Sequence, residues 1–407
     1  MKVIHVGDFI LGDHEKSAVN EVLDSGRLSE GKKVREFEIA FAKFIGTKYA
    51  IAVSSGTSAL IAGLTALLYS PDSRVKPGTR VITTPVTYIA TTNAIVKTGL
   101  TPIYVDIDRR YFGITPENIK EHLETVDDTK QYSLILPVHL MGYPCDMDEI
   151  NKIAKKYGLQ TFEDSAQAHG TIYKGKKTGS LSLLSDFSFY IAHNIQAGEL
   201  GAITTDDYDI VRLIKKIKAN GRMCDCAICT RTTTGCLRIK NYKGDDDFDP
   251  RFTHDMIGYN FKTMEFQAAL GITQLEKADW ITKKRRENVK YLNEELEKYS
   301  DILQLPEYLD TVSYLAYPIV INKPEKISRK KLRTALEKMG VETRPLFGCI
   351  PTQQPAYNYL KNQYKGKLPN AEYIGLNAFY IGCHQYLERS DLDHIIQTFD
   401  IIMKDVK

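Results

Sequence analysis

From about Lys48 to Asp206 the chain alternates short, apolar, β-branched runs with longer stretches of helical periodicity. YAIAVSS leads into GTSALIAGLTALL and RVITTP into YIATTNAIVKTG; PIYVDI, SLILPVHL and QTFEDSA follow, the last of them after MDEINKIAKKYG. Alternation of this kind predicts βαβ units on a mostly parallel sheet, where ligands gather at the carboxyl ends of the strands. The rhythm stops between about Gly221 and Asp255, where GRMCDCAICTRTTTGC and KGDDDFDP read as one long excursion. TMEFQAALGITQLEKADWITKKRRENVKYLNEELEKY then predicts helix, polar on one face and long enough to bridge two domains. Beyond Pro306, the patterns SYLAYPIVI, ISRKKLRTALEKMG, VETRPLF and SDLDHIIQTFDIIMK suit a small α+β unit. The organisation expected is a large α/β domain over residues 1–280 and a small C-terminal α+β domain over 281–407.

Composition agrees with two unequal cores. The chain has 407 residues, 43% of them hydrophobic, and a single core stops growing near ~250–300 residues. Lysine and arginine total 54 against 51 acids, a net charge of +3, so no strong field advertises a nucleic-acid or membrane partner. The opening MKVIHVGDFILGDHEK fits neither a secretory signal nor a transit peptide. No run approaches the ~20 apolar residues of a membrane span, and a cytoplasmic protein is expected. Four of the seven cysteines crowd between Cys224 and Cys236, which suits reducing surroundings better than a framework of disulfides.

Several motifs fall just after strand-like runs. In SSGTSAL, from Ser54 to Leu60, the glycine, the hydroxyls and a helix N-terminus could offer N–H groups to a phosphate, or form an ordinary N-cap. Tyr88 could stack on a planar cofactor or pack in the core. Glu163 and Asp164 end the run QTFED, where a buried carboxylate could pair with a protonated pyridine nitrogen or simply cap a helix. Ser188 is a second candidate phosphate ligand, and His193 precedes a Gly-Glu-Leu-Gly turn. His139 could face a ligand or be a satisfied structural histidine. Arg344 could pair with a carboxylate or phosphate, or lie solvated at the surface.

These residues carry a resemblance to the DegT/DnrJ/StrS family of nucleotide-sugar aminotransferases, which have the fold type I architecture of B6 enzymes. It covers nearly the whole chain, through SGRLSEGKKVREFE, AVSSGTSAL, PVTYIATTNAI, PVHLMGYPCDMDEI, FEDSAQAHG, FSFYIAHNIQAGELGAI, GYNFKTMEFQAALGITQLE, ETRPLFGCIPTQQPAY and YIGCHQ. The resemblance implies that Gly56, Thr57, Ser58 and Ser188 hold the phosphate of pyridoxal or pyridoxamine phosphate. It further implies that Tyr88 stacks on the ring, Asp164 binds the pyridine nitrogen and Gln167 sits near the ring oxygen. Asn260 resembles the residue that this family reaches across a homodimer interface to the phosphate.

One departure changes the chemistry. The aminotransferase loop reads approximately SFxxxKxxxxGEGG, whereas here the lysine position is His193 and a glycine position is Leu200. No lysine occurs between Lys177 and Lys215, so no neighbour can supply the amine that tethers the cofactor and shuttles a proton. Imidazole can move a proton near neutral pH but forms no stable Schiff base. Histidine in this loop resembles the nucleotide-sugar 3-dehydratases of 3,6-dideoxyhexose pathways. The resemblance implies that pyridoxamine phosphate condenses with the ketone of a nucleotide-linked 4-keto-6-deoxyhexose, that His193 acts as base, and that the carbon-3 hydroxyl is expelled. It also places His384 and Gln385 near the sugar, and implies glutamate or an electron-donating reductase as partner. The competing readings are an ordinary aminotransferase and a non-catalytic B6-fold protein that binds metal.

Cys224, Cys226, Cys229 and Cys236 pack four thiols into one short polar loop, a density that reads as zinc, an iron–sulfur cluster or free surface cysteines. One branch of the 3-dehydratases carries a [2Fe–2S] cluster whose Cys-x-Cys falls where Cys224 and Cys226 stand. That branch takes a further ligand where this chain has Ala166.

Overall fold

The computed structural model describes residues 3–226, 229–244, 246–404 and 406. Strands β1 (Tyr49–Val53), β2 (Arg80–Thr83), β3 (Thr101–Tyr104), β4 (Tyr132–Leu136) and β5 (Gln160–Asp164) follow the apolar runs in order. A two-stranded ribbon of β6 (Ile172–Tyr173) and β7 (Lys176–Lys177) intervenes before β8 (Leu184–Ser188) and β9 (Gly201–Thr205). Seven of these form one sheet in the order β1-β9-β8-β5-β4-β2-β3. All of its strands run one way except β9, which is antiparallel to both neighbours. The carboxyl ends of six strands and the amino end of β9 therefore share one edge.

The helix Gly56–Tyr69 explains why its sequence is apolar all round. Ten of its fourteen residues are buried, and a side chain at Gly63 would meet the Phe162 ring of β5 at 2.7 Å. Only glycine lets the helix lie that close to the sheet.

A second, antiparallel sheet takes the order β10 (Leu303–Gln304), β11 (Tyr317–Ile321), β13 (Ala378–Ile381), β12 (Thr343–Pro345). The single bridging helix expected from the sequence is two helices, Glu265–Leu275 and Ala278–Leu296, broken at Glu276–Lys277. The second of these runs continuously through residue 280. The first residues of the chain do not join the large sheet: Ile4 N–H donates to Gly340 O at 2.8 Å and Glu342 N–H to Ile4 O at 2.9 Å. Among the described residues the excursion holds one short helix, Leu237–Lys240, and is tied down by Arg212 and Arg238 on Asp225 and by Lys216 on Asp255. Among the described residues no helix is long and apolar enough to cross a membrane.

Glu265 joins distant parts of the chain. Its buried carboxylate accepts the N–H groups of Gly31 at 2.7 Å, Lys33 at 2.9 Å and Val34 at 3.0 Å, capping the helix Lys32–Ile45, whose own N-cap, Gly31, has no side chain to offer. Removing that acceptor strands three donors. The substitution Glu265→Ala should lower stability by about 3 kcal/mol, read as a fall in Tm, with Glu265→Gln recovering part of the loss.

Candidate active site

At the shared edge, the ends of β1 and β8 and the start of β9 are in backbone contact. Val53 and Ser188 both pair with Gly201. A side chain at Gly201 would lie 2.1 Å from Ser55 O, and one at Gly56 would lie 2.5 Å from Ser188 Cβ. Ser55 caps the helix by accepting Ser58 N–H at 3.1 Å, and the Ser58 hydroxyl lies 2.9 Å from those of both Ser54 and Ser55. The capped first turn keeps N–H groups without helical partners, the kind of group that can also receive an anion. Ser54 N–H donates to Phe261 O at 2.9 Å, which brings the exposed Asn260 beside this turn.

Glu163 and Asp164 point to opposite faces, as the period of a strand requires. Glu163 accepts from Gly179 N–H, Leu181 N–H and the Ser182 hydroxyl at 2.9–3.0 Å, a structural role. Asp164 is buried, and accepts the Thr91 hydroxyl at 2.7 Å and Ala166 N–H at 3.2 Å. Burial holds its carboxyl above the usual range, against those two donors. On β8 its neighbour Asp186 is fully buried with neither oxygen partnered, and burial and Asp164 push it well above the usual range. Gln167 accepts Met141 N–H at 2.9 Å through its side-chain oxygen. Tyr88 is not in the core: it is 61% exposed after β2, its ring 6.0 Å from that of Phe347.

His139 departs from the expectation that it could face a ligand. It is fully buried, with Nε2 2.9 Å from Glu163 and Nδ1 accepting Cys145 N–H at 3.1 Å. Neither ring nitrogen is left for a sugar.

His193 follows the end of β8 in a tight turn, its N–H donating to Tyr190 O at 2.8 Å. Its Nδ1 is buried without a partner, and burial, then the Arg285 charge, push the ring down to about 3. The imidazole is therefore neutral at physiological pH. Asn194 fixes the loop by donating to Ser313 O at 2.5 Å, and the fully buried Leu200 packs with Phe37 and Phe189. Arg285 is fully buried, donating to Tyr314 O, Leu315 O and Gln385 Oε1 at 3.2, 2.7 and 3.1 Å. His384 is buried, and neither of its ring nitrogens hydrogen-bonds within the protein. Arg344 pairs with Glu342 at 3.0 Å and keeps 39% of its side chain exposed.

The four-thiol set does not assemble. Cys224 and Cys226 are within hydrogen-bonding reach of each other, but Cys226 and Cys229 are exposed, and Asp225 between the first pair is drawn inward by Arg212 and Arg238. Ala227 and Ile228, inside the motif, lie outside the described residues. Among the described residues no group of three or more His, Cys, Asp or Glu side chains is placed to hold a metal ion.

Residue types alone did not single out Thr91, His169, Asp186, Gly201 and Arg285. Thr91 lies one turn beyond Tyr88 and His169 within AQAHG, which were the available signals.

Burial, then Arg285, push His384 down to about 4 from its ordinary 6.5. As pH falls below 6.5 the unfolded chain binds a proton that the folded ring refuses, so the ring's contribution to stability is full above 6.5 and is lost on the way to about 4. Between pH 7 and 5 this costs about 2 kcal/mol. His384→Leu should flatten the pH dependence of the denaturation midpoint by that amount; an unchanged slope would place the ring in solvent.

The chain is similar to known proteins along nearly its whole length. The chain is 32% identical to a GDP-4-keto-6-deoxy-D-mannose 3-dehydratase of Escherichia coli O55:H7, with 94% of this chain and 96% of that protein covered. It is 30% identical to a GDP-perosamine synthase of Caulobacter vibrioides, covering 97% and 96%. Among solved structures, the E. coli GDP-4-keto-6-deoxy-D-mannose-3-dehydratase with bound hydrated PLP superposes with a TM-score of 0.85 at 29% identity, over 98% of this chain and 100% of that one. With its edge of six strand ends, its glycine-lined turn and its match to the family model over residues 10–400, the chain belongs to the DegT/DnrJ/EryC1/StrS aminotransferase family.

Proposed function

We propose that the chain is a pyridoxamine-phosphate-dependent 3-dehydratase acting on a nucleotide-linked 4-keto-6-deoxyhexose. The observation that carries this reading is the neutral imidazole of His193 in a loop without lysine, beside an otherwise complete cradle for the cofactor. The residues fit the group. The Gly56–Ser188 contact leaves room only for backbone and hydroxyl at the helix end, and the buried Asp164 is an acceptor for a protonated ring nitrogen. Gly56, Thr57, Ser58 and Ser188 would hold the phosphate, Tyr88 the ring face and Gln167 the ring oxygen, with Asn260 supplied by a second copy. Relatives named as a dehydratase and as a perosamine synthase both support a nucleotide sugar as substrate.

When bound, the cofactor supplies a primary amine for the sugar ketone and a ring that stores electrons. With the cofactor held there, His193 would take a proton at its 4′ carbon and pass it to the departing carbon-3 oxygen, so that water leaves. The loop has no amine to complete an amino transfer, which favours the dehydratase over the aminotransferase reading. Arg344, paired here with Glu342, would meet a carboxylate or phosphate of a co-substrate.

The test is a panel of GDP-, CDP- and dTDP-linked 4-keto-6-deoxysugars, assayed with pyridoxamine phosphate and with either glutamate or a reductase. A 3-deoxy product is expected from at least one sugar. His193→Asn should retain the cofactor and lower kcat by about 10²–10⁴. An amino sugar as the product, or full activity in that variant, would overturn the reading.

A further inference from the structure

The base has a neighbour that its chemistry requires. For Nε2 of a neutral histidine to accept a proton, Nδ1 must carry the ring's hydrogen, and a buried Nδ1–H needs an acceptor. Nδ1 of His193 is buried and makes no hydrogen bond within the protein. The His169 ring lies 6.2 Å from the His193 ring, centroid to centroid, tilted by 52°. His169 is 1% exposed, and both of its nitrogens are buried without a partner. The rings of Phe41, Phe187 and Phe189 enclose it at 6.3, 5.2 and 5.0 Å. These phenylalanines come from the helix Lys32–Ile45, from β8 and from the residue after β8. The other titratable groups acting on it are His193 and, from the helix Ala278–Leu296, Arg285. Both lower its proton affinity, beneath the larger effect of burial. His169 therefore stays neutral and keeps a lone pair to accept with.

We propose that His169 is a positioning residue for His193, accepting from Nδ1–H through one water and so fixing the tautomer whose Nε2 serves as the base. The two rings make no direct hydrogen bond, and at a centroid separation of 6.2 Å one water between them would join a nitrogen of each with little loss. The arrangement resembles in logic the outer partner that fixes the tautomer of a metal-bound or catalytic histidine. It rests on the reading of His193 as the base, but the tautomer can be read without any sugar.

The experiment is ¹⁵N spectroscopy of histidine-labelled protein loaded with pyridoxamine phosphate, with His193 assigned through His193→Asn. The wild type should show His193 as the Nδ1–H tautomer, and His169→Phe should show a shift toward Nε2–H. In the sugar assay His169→Phe should lower kcat about 10–100-fold with KM unchanged, and His169→Asn, which keeps an acceptor oxygen, should recover most of the loss. A wild-type spectrum with Nε2–H at His193 overturns the proposal, and this holds even if His169→Phe does not fold. So does a His169→Phe protein that retains both tautomer and kcat. If the tautomer shifts as expected while no sugar is dehydrated, the pairing stands and the assigned reaction falls.

Discussion

The site depends on one steric constraint, the absence of side chains where β9 begins. Gly201 lies against the carbonyl of Ser55, and Gly56 against Ser188, at distances that no Cβ tolerates. Because β9 runs against its neighbours, its first residue meets the last residues of β1 and β8. That contact brings the cap of the helix Gly56–Tyr69 and the end of β8 into one turn. The same chain direction then carries residues 189–200 out over the edge and back, which sets His193 beside the strand ends. A wider residue at either glycine would separate the helix cap from Ser188 before it touched anything catalytic.

Behind that turn lies an unusual amount of buried polarity. His169, Asp186, His193, Arg285, His384 and Gln385 all contain enclosed atoms without protein partners, although such groups are normally satisfied. They join the exit of β8 to the segments at Tyr314 and Cys383, as a polar inclusion beside one apolar core that runs continuously from the large sheet to the small one. An arginine enclosed without a carboxylate keeps its charge and depresses the neighbouring imidazoles. Neutral histidine at the site follows first from burial and then from this charge.

Much of the architecture was legible in the sequence for a physical reason. Strands of a sheet covered on both faces are largely apolar runs, and β1, β2 and β4 read as such. Asp164 lies where the run QTFED ends; Ser188 ends β8, which none of these runs marks. What failed depended on packing that no local pattern encodes. The turn at Glu276–Lys277 hides inside a polar periodicity that continues across it. Nothing in KKRRE marks Arg285 as the enclosed residue and its neighbour as the half-exposed one. His139 looked available because its partners, Glu163 and Cys145, come from elsewhere in the chain. The cysteine spacing suggested convergence, but the clamp on Asp225 turns the loop by charges that lie outside the motif.

The claim that most depends on this geometry is that His193 exchanges a proton with the cofactor's 4′ carbon. Loading the protein with pyridoxamine phosphate deuterated at that carbon, adding a nucleotide-linked 4-keto-6-deoxyhexose and following the label by mass spectrometry tests it directly. Loss of one deuterium to solvent in the wild type, abolished in His193→Gln, is the predicted result. Retention of both deuteriums alongside product formation, or washout that survives in His193→Gln, would contradict it.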